Sequence, residues 1–525
     1  MRFVFDGRAW FALTAACLLA GCAHPIKVKE RWRLGPSQAV DLTEASATWQ
    51  MLRRGDLVSQ EDLVAYNEAV RDSVVQVARN WSGDKVVTPV LETTAGPVSL
   101  SVDARAIREV SEIDHLVPAD FVAIKRGLEE TTIVDGLGAS LVVRRRWNQL
   151  DPLVPKTGLW LPMTGLLDLD DPGRPVLLLL DSMNEPDFRS GPFTYPLAAN
   201  YSAFLAKDLE ERQRQFLRVP ALFHYGDFEE RMGIYRMSGF DPAKEVCVLV
   251  HGINSRPSTW NVTLNRLLAE EEIRDRYEFW LYGYPTGAPI PYLAVKFRES
   301  LQRMTEFRRV HGATDLDMTL VGHSMGGLLA KAATQRSGQE NWSRVFTVPP
   351  SELNISPEHR ELLERMMFFE PNPHVERVVF VATPHRGSRV AQKSVVRLAA
   401  DLVEVPGQLI ALSSTIVEES DRVLTPFGQR IAEEIPTSIH HLGFNSELTR
   451  TFSNIPLNDS VEYYSVIGRK KGSGKSLKTS TDGVVSYESA HIEGVVAEIV
   501  LDSPHGVHKT EKGAAAIARI LKEAE

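Results

Sequence analysis

The stretch VGHSMGG at residues 321–327 carries the strongest structural signal in the sequence. It follows the apolar run LDMTL and precedes LLAKAATQ, so it predicts a strand, a sharp turn and a helix. Gly322 and Gly326 permit a strained turn that projects the hydroxyl of Ser324, which is typical of a nucleophilic serine. The pattern G-x-S-x-G also arises by chance, and the alternative is an ordinary turn serine. Its position between strand and helix favours the nucleophile.

Apolar strands and helices alternate on both sides of this turn, from about residue 245 to residue 525. Strands are predicted at EVCVLVHG, YEFWLYGYP, LDMTLVGHS, VERVVFVATP, VEYYSVIG and VVAEIVLD. This alternation predicts an α/β fold with a mainly parallel central sheet covered by helices on both faces. Within it, the segment 389–460 has a mostly helical pattern. We interpret it either as a lid over the site or as a structural helical excursion.

A serine hydroxyl needs a base to activate it, and the charge that develops on a carbonyl oxygen needs hydrogen-bond donors. The segment LVHGINS ends a predicted strand at His251 and Gly252, where the turn directs the N–H of Ile253 toward that oxygen. The N–H of Met325, which opens the helix after Ser324, is the second expected donor. We interpret His251 as structural, and the alternative is a direct catalytic role.

The chain order Ser, Asp, His places the acid after the next-to-last strand. Asp482 lies in the loop that follows VEYYSVIG, and the only other carboxylate since residue 461 is Glu462, inside the strand. An Asp before a glycine is most often a turn former. Its place in the chain order nevertheless favours Asp482 as the acid.

The base is expected in LDSPHGVHKT, residues 501–510, which follows the last predicted strand. His505 lies 23 residues beyond Asp482, and we favour it over His508, which is closer to the terminal helix. His508 remains the alternative base, whereas His491 precedes the last strand and lies on its wrong side. The pair does not predict a metal site, because no third ligand stands at a suitable spacing.

The N-terminal sequence MRFVFDGRAWFALTAACLLAGCAHP has two arginines, a short apolar run and small residues before Cys22. This pattern is typical of a secretory signal, and its end resembles the bacterial lipobox, in which Cys22 would carry the lipid. The alternative is a plain signal peptide with an incidental cysteine. Ala23 after the cysteine implies sorting to the outer membrane of the cell envelope, on its periplasmic face or at the cell surface. Cys247 is then the only free thiol, so no disulfide framework is expected.

These features divide the chain into a signal peptide at 1–21, a tether at 22–42, an N-terminal accessory domain at 43–240 and a hydrolase-like domain at 241–525. The accessory domain is expected to mix helices and short strands, and its sequence indicates no chemistry. The net charge of −9 disfavours nucleic-acid binding. IGRKKGSGKS is not a phosphate loop, because Arg469 stands where glycine is required. Its basic residues indicate a solvated loop, with attraction of an anionic head group as the alternative.

The segments VLVHGINS, GHSMGGL, VATPHRGS and TDGVV, together with the C-terminal histidine loop, resemble the α/β-hydrolase fold. Within it they are similar to bacterial lipases and esterases and to inositol-deacylase-type lipases, over about half the chain. The resemblance implies that His505, oriented by Asp482, takes the proton of Ser324, which attacks an ester carbonyl. It also implies that VATPHRGS shapes the wall of the site. The doubled histidine departs from the family pattern.

The sequence therefore predicts a membrane-anchored serine hydrolase that cleaves lipid or acyl esters through an acyl-enzyme and needs no cofactor or metal. Two alternatives on the same fold are a thioesterase and an acyltransferase. A third is a non-catalytic scaffold lipoprotein of the envelope. The sequence makes no prediction of acyl chain, head group or oligomeric state.

Overall fold

The computed structural model describes residues 26–32, 39–81, 89–104, 107, 110–128, 131–215, 224–388, 406–418, 420–432 and 455–523. The strands are β1 (Lys27–Glu30), β2 (Val90–Thr93), β3 (Gly96–Ser99), β4 (Ser101–Ala104), β5 (Ile113–Pro118), β6 (Val122–Arg126), β7 (Ile133–Val134), β8 (Ala139–Arg145), β9 (Leu159–Asp168), β10 (Val176–Asp181), β11 (Asp187–Ser190), β12 (Phe193–Pro196), β13 (Ala199–Asn200), β14 (Gly233–Arg236), β15 (Glu245–Val250), β16 (Tyr277–Gly283), β17 (Met318–His323), β18 (Val375–Val381), β19 (Glu462–Gly468) and β20 (Ala497–Leu501).

The helices are α1 (Thr43–Arg54), α2 (Gln60–Asn80), α3 (Tyr201–Gln215), α4 (Asn261–Ala269), α5 (Glu271–Arg276), α6 (Ile290–Val310), α7 (Met325–Thr334), α8 (Gln339–Val345), α9 (Pro357–Met367), α10 (Gly407–Glu418), α11 (Ser420–Val423), α12 (Pro426–Ala432), α13 (Tyr487–Ala490) and α14 (Glu511–Lys522). In the described ranges, none of them combines the length and the apolar character needed to cross a bilayer.

A seven-stranded sheet organises the C-terminal half, with the strand order β14-β16-β15-β17-β18-β19-β20. Every pair in it is parallel except β14 with β16. The predicted α/β fold with a mainly parallel sheet is therefore confirmed. The order reverses direction at β15, which lies between β16 and β17, and ligands bind at such a switch point beyond the carboxyl ends of the strands.

Both faces of this sheet are covered, as the continuous apolar runs require. Alternate residues of β15 point to opposite faces, so Val246 and Val248 pack with α6 and α7, whereas Cys247 and Leu249 pack with α4 and α14. Cys247 is fully buried, and this burial raises the pKa of its thiol. The free cysteine is therefore a core residue.

The N-terminal half is built on a five-stranded sheet with the order β4-β10-β9-β8-β5. Its pairs are antiparallel except β10 with β4. Helix α2 packs on this sheet and α1 packs on α2, which together bury an extensive apolar core. This half contains both helices and strands, and its standing as a separate accessory domain remains a prediction.

Helix α3 lies between the two halves, where it contacts β9 on one side and α4 on the other. One hydrophobic cluster runs through this junction, because Val142 and Trp160 of the N-terminal sheet belong to the same cluster as Leu249 and Ile517 of the C-terminal half. Strand β14, which precedes residue 241, is the edge strand of the C-terminal sheet. The two sheets therefore share a core, and the C-terminal sheet begins before residue 241.

Helices α8 and α9 form an excursion between α7 and β18 that the sequence patterns did not indicate. The described part of the segment 389–460 packs against this excursion: Leu412 and Leu424 share a small apolar cluster with Trp342 and Phe346. Residues 389–405, 419 and 433–454 lie outside the described residues. A lid role for the segment remains a prediction.

Candidate active site

Ser324 occupies the turn between β17 and α7 with φ 53° and ψ −123°. A positive φ in a residue other than glycine costs about 1–3 kcal/mol, and it persists only where the surroundings hold it. Here the start of α7 packs so closely on β15 that a side chain at Gly326 would meet the carbonyl oxygen of Val250. A side chain at Gly322, in β17, would lie 2.5 Å from Gly327 Cα in α7. The two glycines of the motif are what allow the strained serine.

Ser324, His505 and Asp482 lie in one hydrogen-bonded chain at the carboxyl edge of the sheet. His505 Nε2 is 3.0 Å from Ser324 Oγ, and His505 Nδ1 is 2.7 Å from Asp482 Oδ2. When Nδ1–H donates to the carboxylate, Nε2 is left to accept the serine proton. The arrangement can therefore deprotonate Ser324 and then return the proton.

Asp482 is held by its own loop as well as by the histidine. Its Oδ1 accepts hydrogen bonds from the N–H groups of Val484 and Val485 at 2.8 and 2.7 Å, and its carbonyl oxygen accepts the N–H of His505 at 3.1 Å. Only 1% of its side chain is exposed. These hydrogen bonds fix the orientation of the carboxylate toward the imidazole of His505.

The two expected oxyanion donors lie beside Ser324. Met325 N–H is the first of α7, and the loop after β15 passes so close that a side chain at Gly252 would lie 2.9 Å from Ser324 Cβ. The next turn is fixed by Asn254, which has φ 48° and donates its N–H to Thr286 Oγ1 at 3.1 Å. Across the described residues, neither the Ile253 N–H nor the Met325 N–H has an acceptor. Both donors are thus available at the site, and their role in catalysis remains a prediction.

His508, the alternative base, faces away from the serine. It is fully buried, its Nε2 is 3.0 Å from Thr259 Oγ1, and its carbonyl oxygen accepts from Thr263 at 2.6 Å. Burial lowers the pKa of His508 well below its usual range, and the neighbouring His323 lowers it further. A buried neutral imidazole bonded to a threonine is a packing residue in this structure.

Sequence reasoning missed a structural role for His323, which directly precedes Ser324. Its Nε2 is 3.0 Å from the carbonyl oxygen of His505, and its ring centroid is 3.9 Å from that of His508. Burial lowers the pKa of His323 well below its usual range, with His505 adding to the effect. In the neutral form that burial favours, Nε2–H donates to that carbonyl and holds the base loop. Its place beside Ser324 was the only available signal.

His251, expected to be structural, is fully buried and stacks on Tyr284 with ring centroids 4.3 Å apart. Burial lowers its pKa to about 4. Tyr284 donates its hydroxyl to the His251 carbonyl oxygen at 2.5 Å. The ring thus supports the strand end from which the chain turns toward Ile253.

The segment VATPHRGS contacts the loop that carries the acid. Arg386 donates to the carbonyl oxygens of Glu488 and His491 at 2.7 Å each. Ser388 donates to the Val484 carbonyl oxygen at 2.5 Å. The segment therefore anchors the loop that carries Asp482 from the neighbouring strand. The wall function implied by the resemblance remains a prediction. His491 is bonded to a group outside the site, because its Nδ1 lies 2.7 Å from the Glu498 carboxylate.

Within the described ranges, no group of three or more His, Cys, Asp or Glu side chains is arranged to hold a metal ion. The predicted lipidation site, Cys22, lies outside the described residues, as do the signal peptide and part of the tether. Those predictions are carried by the sequence.

The strand order, the strained serine between strand and helix, and the loops that follow β19 and β20 define an α/β-hydrolase fold. A comparison with protein-family models found no match, and a comparison with curated proteins found none either. Similar solved structures include the mature lipase BlEst2 of Bacillus licheniformis, 18% identical over 54% of this chain and 93% of that chain, with a TM-score of 0.32.

Another is lipase 1 of Pelosinus fermentans, 12% identical over 54% of this chain and 99% of that chain, with a TM-score of 0.33. A third is phospholipase PlaB of Legionella pneumophila, 12% identical over 53% of this chain and 60% of that chain, with a TM-score of 0.31. At such identities and scores the activity of this chain does not follow from theirs. The fold assignment rests on the topology and on the turn at Ser324.

Proposed function

We propose that this protein is a serine hydrolase that cleaves carboxylic esters of lipids or other acyl groups through an acyl-enzyme. The observation that carries the proposal is the hydrogen-bonded chain of Ser324, His505 and Asp482, with separations of 3.0 and 2.7 Å. A purely structural serine would not require a strained turn. A purely structural histidine would not require hydrogen bonds to both a serine and a carboxylate.

The chemistry follows from the positions of these groups. His505 takes the proton of Ser324 as the oxygen attacks the ester carbonyl, while buried Asp482 stabilises the imidazolium that forms. The N–H groups of Ile253 and Met325 donate to the oxyanion of the tetrahedral intermediate. His505 then protonates the leaving alcohol, and water, activated by the same base, releases the acid from the serine.

Labelling with a fluorophosphonate probe tests this proposal directly. The wild-type protein should be labelled and should hydrolyse p-nitrophenyl butyrate, and Ser324→Ala should lose both properties. Ser300→Ala is the matched control, since Ser300 lies in α6 and donates to the Lys296 carbonyl oxygen at 2.8 Å. A folded wild-type protein that is not labelled would favour the scaffold alternative.

The same acyl-enzyme would serve a thioesterase or an acyltransferase. These alternatives differ from an ester hydrolase in the leaving group and the acceptor, so a panel of oxygen esters, thioesters and phospholipids with analysis of the acyl product separates them. Release of free acid from oxygen esters as the main product supports the proposal, and transfer to an added alcohol in preference to water contradicts it.

We also propose that the protein is anchored to the outer membrane through lipidated Cys22. Support comes from the charged start, the apolar run and the residues Leu19-Ala20-Gly21 before the cysteine. Metabolic labelling with a palmitate analogue should mark the protein in the membrane fraction of an envelope preparation. Cys22→Ala should abolish the label, and a variant that keeps it would contradict the anchor.

A further inference from the structure

The loop between β19 and the acid is a basic protrusion on an acidic protein. Residues 469–481 contain five basic residues and neither an acidic nor an aromatic one, whereas the whole chain has a net charge of −9. We call this segment the basic loop. Its basic residues are Arg469, Lys470, Lys471, Lys475 and Lys478.

The basic loop is folded, and its base is pinned next to the acid. Lys470 N–H donates to the carbonyl oxygen of Thr481 at 2.9 Å, and Thr481 N–H donates to Ser473 Oγ at 3.1 Å. Ser476 and Thr479 form a capping box across the turn Leu477–Thr479. A closed loop of this kind presents its tip in a defined direction.

Its charges are available to a partner. Arg469 is committed to Asp502, at 2.6 Å. The four lysines of the loop are exposed and make no ion pair with any residue that the structure describes. Lys512 is exposed at the start of α14. After Arg469, the charges of Lys471 and Lys512 also lower the pKa of Asp502, so Lys512 extends the same positive surface. The nearby acid Glu511 offsets one of these charges.

An apolar side chain stands among the lysines at the tip. Leu477 lies between Lys475 and Lys478 and is 37% exposed. A cationic loop with one exposed aliphatic residue suits the surface of an anionic bilayer, where lysines meet phosphates and the aliphatic group enters the head-group layer. Single-stranded nucleic acid would call for aromatic residues, which the loop lacks.

Part of the segment predicted as a tether, residues 22–42, belongs to the folded body, because β1 pairs with β6 and Ile26 and Val40 are buried. The remaining tether, from Cys22, joins the body at Ile26, at the same edge of the sheet. Gln213 Nε2 donates to the carbonyl oxygen of Ile26 at 2.6 Å, and Arg256 donates to the Gln213 carbonyl oxygen at 3.0 Å. Arg256 belongs to the loop that follows β15, beyond the carboxyl end of that strand. Three residues lie between Cys22 and Ile26. The four steps along the chain span at most about 14 Å, so a lipidated Cys22 would hold this edge within that distance of the anchored cysteine.

The tether and the basic loop therefore flank the nucleophile. The order β15-β17-β18-β19 places the loop after β15 on one side of Ser324 and the basic loop on the other, roughly 14 Å apart at the strand ends. We infer that the basic loop binds the anionic phospholipid surface and, with the tether, turns the edge that carries Ser324 toward the bilayer. The catalytic part of this inference rests on the proposed function.

Vesicle binding tests the inference. The full chain with Cys22→Ala, which removes the covalent anchor, should sediment with phosphatidylcholine vesicles that contain one part phosphatidylglycerol in three and much less with pure phosphatidylcholine. Lys475→Glu/Lys478→Glu should weaken binding to the anionic vesicles at least about tenfold, since each lysine near such a surface is worth several-fold in affinity. Raising the salt concentration should weaken wild-type binding as well.

The control is Arg174→Glu/Arg189→Glu, which makes the same charge change at two exposed positions of the N-terminal half, before β10 and in β11. Equal loss of binding in both variants, or unchanged binding of the loop variant, would overturn the inference. Hydrolysis of soluble p-nitrophenyl butyrate should stay within about twofold in both variants, whereas the loop variant should lose turnover of an ester embedded in anionic vesicles. Absence of fluorophosphonate labelling would instead defeat the proposed function and leave vesicle binding to be judged separately.

Discussion

Two histidines, three residues apart in the terminal loop at residues 501–510, lie in opposite surroundings. On the outer side, His505 reaches Ser324 and Asp482 and keeps 11% of its side chain exposed. On the inner side, His508 is fully buried beside Trp260, with Thr259 as its partner. The same residue type thus bridges a serine and a carboxylate at one position and is kept neutral by burial at the other.

His323 connects the two sides. It contacts the ring of His508 and the carbonyl oxygen of His505, so it links the packed interior to the segment that carries His505. Position in a loop is therefore a weak guide to function, because the backbone between residues 505 and 508 turns the first histidine outward and the second inward.

Removal of His505 should produce the largest effect. We expect His505→Ala to lower kcat for p-nitrophenyl butyrate by roughly 10⁴- to 10⁶-fold with little change in KM, because the serine loses its only base. The measurement is steady-state kinetics on the purified variant, with His491→Ala as the control outside the site. An active His505→Ala together with an inactive His508→Ala would reverse the assignment.

Asp482→Asn should lower kcat by about 10⁴-fold. The amide would keep the contacts with the N–H groups of Val484 and Val485 but would present NH₂ to His505, so Nε2 would carry the proton and could not accept another. Asp502→Asn is the matched control, because it alters an exposed carboxylate in the next loop. Similar losses in the two variants would remove Asp482 from its proposed role.

His508→Gln should have a modest effect on turnover and a distinctive effect on stability. Because it disturbs the base only through the packing, we expect kcat to fall by about 3- to 10-fold. The folded-state pKa of His508 lies below that of the unfolded chain, so the unfolded chain binds the proton first as the pH falls below about 6.5. The wild-type protein should lose this contribution on acidification, and the glutamine variant has no such contribution to lose.

Urea unfolding at pH 7.5, 6.0 and 5.0 checks the prediction. The difference in unfolding free energy between wild type and His508→Gln should shrink by up to about 1.4 kcal/mol per pH unit below pH 6.5. Carboxylates such as Glu278, whose pKa burial raises to about 7, act in the opposite direction in both proteins and cancel in the difference. Parallel curves would mean that His508 is not kept neutral by its surroundings.

Local patterns in the sequence were sufficient to predict much of the C-terminal half. Short β-branched runs such as EVCVLV favour strands buried on both faces, and their alternation with helices implies a parallel sheet, which the structure confirms. The triad positions follow from chain order because successive loops leave one edge of that sheet. The structure places Ser324, Asp482 and His505 together, and their catalytic roles remain predictions.

Other features depend on contacts that no local pattern encodes. The choice between His505 and His508 depends on the backbone turn between them and on Thr259, which lies 249 residues away in sequence. The contact of His323 with the base loop and the pinning of the acid loop by Arg386 are likewise long-range. In the N-terminal half, strands of two to ten residues join into sheets in an order set by tertiary packing, so the sequence indicated only a mixture of elements.

The junction at α3 has a consequence for any attempt to dissect this chain. The motifs delimit a unit from residue 241 onward, but a fragment cut there would lose edge strand β14 and would expose the side of α4 that Phe204, Leu205 and Leu209 now cover. Such a fragment would present a bare strand edge and a wide apolar face to solvent, both of which promote aggregation. The smallest unit of this chain that we expect to fold alone is therefore larger than the segment that carries its motifs. The N-terminal half contributes part of the core that stabilises the half with Ser324.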